Sequence, residues 1–263
     1  MVDALSKDKG FSLLIKGAPG TGKTLLALEI VRMFGCVNTV YLSARVPKRT
    51  LYEQFPWLDA LEPLNFIDIT KLYIPSETVP RVVSFPDILY SRLEQIGKPA
   101  IVVIDSWDAI ASQMGQREKE MFEASLTYLV RGNEMKLILV CETLTTTPLD
   151  FIADGVVTLM RLVIDYRRAR ELRLEKLRGV RIHQPRYAFT LEHGEFQYVR
   201  PFKRKSIKRP LMIKTFPSSE RYVSTGSEDL DKVLGGGLRR GSFNVIEFGG
   251  DLSIWGIKCL PFS

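Results

Sequence analysis

Short apolar runs alternate with helix-like stripes through the first two hundred residues. FSLLIK (11–16) has the length and branching of a buried strand, and TGKTLLALEIVRMF after it repeats apolar residues at helical spacing. NTVYLS (38–43) and LNFIDI (64–69) read as strands, with a helix expected at about 84–96. AIVVID (100–105) is a fully buried strand by its branched run, 117–131 is helical, and KLILVC (136–141) is the next strand. This alternation predicts an α/β fold whose mostly parallel sheet is flanked by helices on both faces. After Asp154 the rhythm changes. GVVTLMRLVID, RRARELRLEKL, RYAFTLEH and GEFQYVR read as antiparallel strands on the C-terminal side, with a turn at His193–Gly194.

Composition leaves that picture intact: 45% hydrophobic, 25% charged, and mean hydropathy near zero. No apolar run reaches the roughly 18 residues needed to span a bilayer, so no membrane insertion is expected. Cys36, Cys141 and Cys259 are scattered in apolar surroundings, as small core residues of a cytoplasmic protein would be. His183 and His193 have no ligand-like company. The net charge of +7 is uneven: RPFKRKSIKRPLMIK (200–214) holds seven Lys or Arg and no acid. It reads as a solvated linker, or else as a surface for nucleic acid. A boundary is expected at its start, giving a nucleotide-binding domain at 1–200, a basic linker at 201–220 and a further segment at 221–263.

GAPGTGKT (17–24) adds chemistry. It matches G-x-x-x-x-G-K-[ST] between a strand and a helix, the context this loop requires. Gly17, Ala18, Pro19, Gly20, Thr21 and Gly22 let backbone N–H groups turn inward around anionic oxygens, and Leu25 belongs to the helix whose positive end faces them. Lys23 would reach the outer phosphates, and the Thr24 hydroxyl would bind Mg²⁺. Asp105, ending a buried strand downstream, is the carboxylate expected to help hold the metal.

With these residues in place the chain resembles the KaiC-like branch of the RecA superfamily of P-loop ATPases. IVVIDSWDAI is similar to that family's metal-ligand strand, CETLTTTPLDFIADGVVTL to the strand after it, and RARELRLEKLRG to its R-x-L-x-V-x-K-x-R-G strand. VSTGSEDLDKVLGGGLRRGSFNVIEF resembles the segment that opens each KaiC module. The resemblance implies a RecA-like fold, ATP with Mg²⁺ as ligands, and ring-type homo-oligomers such as hexamers, with ATP between subunits. It also implies that Lys176 and Arg178 reach the terminal phosphate held by a neighbouring copy.

One departure bears on turnover. Family members that hydrolyse ATP carry acids just after the second strand, where this chain has Ser43, Ala44 and Arg45. Ser and Ala are not bases, and Arg does not deprotonate at working pH. Arg45 would instead stabilise phosphate charge. Glu142 is the nearest alternative carboxylate, followed by Glu53. The expectation is therefore an ATP-binding, slowly hydrolysing ATPase whose nucleotide controls assembly or a regulatory interaction. The alternatives are a nucleic-acid-dependent ATPase using 200–214, and a non-hydrolysing ATP sensor.

A second, degraded copy of the module opening begins at Gly241. Phe248, Gly249, Gly250, Asp251, Leu252, Ser253, Ile254 and Trp255 fall across the eight loop positions. Ile254 replaces the lysine and Trp255 the metal-binding hydroxyl, so this copy is expected to bind no nucleotide. It reads either as the stub of a longer, degenerate second module or, favoured by its apolar character, as a segment that docks on the first domain or on a neighbouring subunit.

Overall fold

The computed structural model describes residues 5–6, 10–35, 38–61, 64–70, 85–98, 100–132, 134–164, 166–199 and 218–245. The basic stretch at 200–214 and the second-copy residues 248–255 lie outside them. The chain forms two compact units, Met1–Pro201 and Phe202–Ser263.

The first unit is built on a nine-stranded sheet of order β3-β2-β4-β5-β1-β6-β7-β8-β9. Its parallel part comprises β1 (Phe11–Gly17), β2 (Thr39–Ser43), β3 (Asn65–Asp68), β4 (Ala100–Asp105), β5 (Met135–Cys141) and β6 (Gly155–Ile164). Every residue of β1 and β2 is buried, as continuous apolar strands covered on both faces must be. Alternate residues feed two separate cores. Phe11, Leu13, Ile15, Tyr41 and Val103 pack with Leu26, Ile30 and Val31 of α1 (Lys23–Phe34). Leu14, Val40, Leu42, Val102 and Ile104 pack instead on the opposite helices. These are α3 (Phe85–Glu94), α4 (Trp107–Ala111) and α5 (Gln116–Gly132). On α5 the residues Phe122, Leu126, Leu129 and Val130 form the apolar stripe that meets the sheet.

The helix expected at 117–131 is present as α5, with α4 before it. Two details depart from the sequence pattern. Two short helices, α2 (Lys48–Gln54) and α6 (Pro148–Ile152), were not predicted, being too short to show a period. The strands after Asp154 are not all antiparallel. β6 still runs parallel to β1, and reversal comes only at β7 (Arg167–Leu177), followed by β8 (Arg186–Thr190) and β9 (Gln197–Tyr198).

Two polar clusters fix the central strands. Asp154 accepts hydrogen bonds from the Ser12 N–H (3.0 Å), the Ser12 hydroxyl (2.8 Å) and Arg178 (3.1 Å), locking the starts of β1 and β6 together. Lys16, buried in β1, donates to Asp150 (2.8 Å) and to the Thr145 carbonyl (2.8 Å). Asp150 also receives the Thr147 N–H and hydroxyl in a capping box on α6.

In the second unit, β10 (Tyr222–Val223) pairs antiparallel with β11 (Leu238–Arg239) around α7 (Glu228–Val233). The TGSEDLDKVLGGG motif is here a self-capped turn. Ser227 caps α7, and Asp231 accepts from the Thr225 N–H (2.8 Å) and hydroxyl (2.7 Å). The hydrogen bonds from Ser224 and Thr225 hold its carboxyl below the usual range.

Two outcomes follow for stability. Asp154→Ala orphans the buried donors of Ser12 and is expected to cost about 2–4 kcal/mol in urea unfolding. For Asp150, burial raises the carboxyl pKa, but the hydrogen bonds from Lys16 and Thr147 outweigh it and leave the pKa lowered. A lowered folded pKa means stability present above the unfolded value near 4 and lost as pH falls through the folded value. The melting-temperature gap between the native chain and Asp150→Asn should therefore be full at pH 6 and close below about pH 4.

Candidate functional site

The parallel register brings four strand ends to one edge of the sheet. Ser43 lies beside Asp105, Asp105 beside Val140, and Lys16 beside Cys141. The loop after β1 therefore lies against the ends of β4 and β5, where ligands of open α/β sheets bind.

The loop itself is shaped by its glycines. Gly22, with φ of 102°, caps α1 in the left-handed region, and the Leu191 side chain lies against it so closely that no Cβ fits. At Gly17 a Cβ would meet the Thr21 hydroxyl and the Leu159 carbonyl. The Ala18 carbonyl collects the Thr21 hydroxyl (2.9 Å) and the Lys23 ammonium (3.1 Å). Lys23 is thus folded back on its own loop. Burial lowers its pKa, opposed by the nearby carboxylates of Glu142, Asp105 and Asp108, with Arg45 adding to the lowering. Pro19, Gly20 and Leu25 complete the loop and first turn. The Arg161 guanidinium reaches from β6 to within 3.7 Å of where a Gly20 Cβ would stand.

Thr24 and Asp105, 81 residues apart, meet directly: the Thr24 hydroxyl donates to Asp105 Oδ2 at 2.7 Å. The same oxygen receives the Tyr41 hydroxyl at 2.6 Å. Tyr41 is fully buried, and burial followed by the Asp105 charge pushes its pKa well up, so it stays a donor. Sequence reasoning missed Tyr41, which looks like any aromatic in a core strand. The Thr24 hydroxyl and Asp105 carboxylate are hard oxygen donors at the start of a helix, a set that suits Mg²⁺.

On the other side of the edge, Arg45 spans β4 and β5. Its Nε donates to the Ser106 hydroxyl at 3.2 Å, and its NH2 lies 3.0 Å from a Glu142 carboxylate oxygen. The turn presenting it is anchored by the Ala44 N–H to the Asp105 carbonyl (2.7 Å) and by the Ser43 hydroxyl to the Val46 carbonyl (2.6 Å). Asp108 fixes the far side by accepting from the Glu142 N–H and the Thr143 hydroxyl. Neither link was visible in the sequence. Glu53 is elsewhere, paired with Arg49 on the exposed face of α2. Burial pushes the Cys141 thiol far up, so it is an inert core group.

Lys176 and Arg178 do not join this edge. Arg178 N–H bonds the Asp154 carbonyl, and Asp154 N–H bonds the Ser12 carbonyl, which sets them level with the start of β1. Gly17 is five residues further on, roughly 16 Å of strand. Lys176 donates to the carbonyls of Asp150 and Phe151 (both 3.0 Å). Burial, then the Arg178 charge, lower the Lys176 pKa. Among the described residues no helix is long and apolar enough to cross a membrane, and no His, Cys, Asp and Glu cluster resembles a metal centre.

The fold is shared with a KaiC-like protein from Pyrococcus horikoshii, at a TM-score of 0.59 and 22% identity, covering 73% of this chain and 90% of that one. A circadian clock oscillator protein KaiC from Picosynechococcus is 27% identical, over 89% of this chain and 47% of its own length. GvpD2 and GvpD1 of Halobacterium salinarum are 35% and 34% identical, each over 97% of this chain. The chain spans about half the length of these curated relatives. Residues 3–175 match the family described as GvpD gas vesicle protein, P-loop domain. The loop at 17–24, its partner carboxylate and this match over most of the chain place the protein in the GvpD P-loop family, within the KaiC-like RecA-superfamily ATPases.

Proposed function

We propose that the chain binds ATP with Mg²⁺ at residues 17–24 and hydrolyses it slowly, the nucleotide state governing self-assembly or a regulatory contact. The observation that carries this reading is the Thr24–Asp105 hydrogen bond at the start of α1, beside Lys23. Exchanging that bond for a shared ion costs little, because both oxygens already point at one place. Thr24 and Asp105 would hold magnesium, which would supply positive charge to neutralise the phosphates. The loop amides and Lys23 hold the phosphate oxygens. Lys23 lowers its cost of burial by taking an anion in place of the Ala18 carbonyl.

Turnover needs a base for the attacking water. Ser43, Ala44 and Arg45 provide none, and Glu142 is the carboxylate that serves. Its ion pair with Arg45 is what makes hydrolysis slow. The same pair favours a second reading, a sensor that binds ATP without turnover. Lys176 and Arg178 lie too far from their own loop to act there, which supports their acting on the site of a second copy in a ring-type homo-oligomer. The family description supports gas vesicles as the setting for this control.

Lys23→Ala is expected to weaken MgATP binding at least tenfold, and Asp105→Asn to weaken its dependence on Mg²⁺, both by calorimetric titration. Unchanged affinity in Lys23→Ala would remove the site from 17–24. Phosphate release tests the shared site. Lys23→Ala and Arg178→Ala should each be inactive alone, while their mixture regains part of the native rate through interfaces that pair one intact loop with one intact arginine. A mixture as inactive as its parts would place Arg178 in a purely structural role beside Asp154.

A further inference from the structure

The residue that replaces the usual acid after β2 is not idle. Arg45 leans across the ends of β4 and β5 and divides its guanidinium between the Ser106 hydroxyl and Glu142. Its turn is tied to the Asp105 carbonyl by the Ala44 N–H, so the arginine stands over the strand that carries the metal-side carboxylate. Glu142 and Arg45 both lie near enough to Lys23 to act on it electrostatically.

The pair is weakly held. Arg45 is 53% exposed in its side chain and Glu142 28%, and ion pairs so close to water contribute little. Glu142 keeps its place without Arg45, since its backbone N–H is bonded to Asp108. A phosphate offers a guanidinium more than a carboxylate does: greater charge, and oxygens spaced for a two-pronged bond. The lysine of such a loop reaches the outer phosphates, so the outermost one is the group that Arg45 would meet.

We propose that Arg45 reads the terminal phosphate of a bound nucleoside triphosphate, exchanging Glu142 for that phosphate and so distinguishing triphosphate from diphosphate. This rests on the nucleotide reading of the loop at 17–24. The exchange also releases the Glu142 carboxylate at the moment a triphosphate is present, leaving it masked when the site is empty or holds a diphosphate. Arg45 is thus a specificity-determining residue. It couples recognition of the third phosphate to exposure of the Glu142 carboxylate.

The test is calorimetric titration of the full chain with adenylyl imidodiphosphate, a non-hydrolysed triphosphate, and with ADP, both with Mg²⁺. In the native chain the triphosphate should bind more tightly. Arg45→Gln, a change on a half-exposed side chain, should weaken the triphosphate about ten- to hundredfold and ADP less than about threefold. Glu142→Gln removes the competitor and should tighten the triphosphate severalfold without changing ADP. Thermal melts of both variants confirm that they fold. Equal weakening of both nucleotides by Arg45→Gln, or no weakening of either, would overturn the proposal while leaving the loop as a nucleotide site. If the native chain binds neither nucleotide, the reading of the loop itself falls, and this inference with it.

Discussion

Asp105 Oδ2 accepts two hydroxyls, from Thr24 at the start of α1 and from Tyr41 in the middle of β2, and most of the site hangs on that convergence. One bond sets the helix against β4, and the other sets β2 against β4 from beneath. Both donors are neutral hydroxyls that use only part of the acceptor capacity of the carboxylate, so its remaining lone pairs are available to a ligand. The geometry requires the parallel register of β1, β2, β4 and β5, because a slip of one residue would turn Asp105 to the opposite face. It also requires Gly22 in a left-handed conformation, since α1 otherwise could not begin where Thr24 meets Asp105.

What was legible in the sequence was whatever the chain holds contiguously. The loop at 17–24 carries its own evidence, because eight neighbouring residues suffice to build a phosphate cradle. Asp105 was legible for a related reason: it ends a fully apolar strand, and a carboxylate in that position is exposed only at the sheet edge. The Arg45–Glu142 pair was not legible as a pair. The two residues are far apart in sequence, and their meeting depends on β2 lying next to β4 and β4 next to β5, an order no local pattern encodes. Tyr41 was hidden because its ring satisfies the core pattern while its hydroxyl does something else. The parallel pairing of β6 was hidden because alternation of apolar and polar residues is the same for either direction of neighbour.

Lys176 and Arg178 illustrate how one residue serves two demands. In the single copy Arg178 neutralises Asp154, and Lys176 caps the last carbonyls of α6. Both are half out of the protein, with each keeping some donor capacity free of these bonds. Their placement at the start of β6 follows from the long β6–β7 hairpin, which returns the chain antiparallel to the level of Ser12. The hairpin therefore presents cations at a flank remote from the P-loop of its own copy.

Charge balance ties these pieces together. The groups acting on Lys23 are three carboxylates, Glu142, Asp105 and Asp108, and one further cation, Arg45. With Lys23 included, these groups carry two positive charges against three negative, and Arg161 adds a further cation beside Gly20. On the proposed reading, a divalent cation held by Thr24 and Asp105 would offset the carboxylates for an incoming triphosphate. The arginine at position 45 enters the same balance. An acid there would make the edge more negative by two charges, and Glu142 would have no partner. With arginine, Glu142 has a cationic partner at 3.0 Å, and that pairing is what the proposed reading of a third phosphate would draw on.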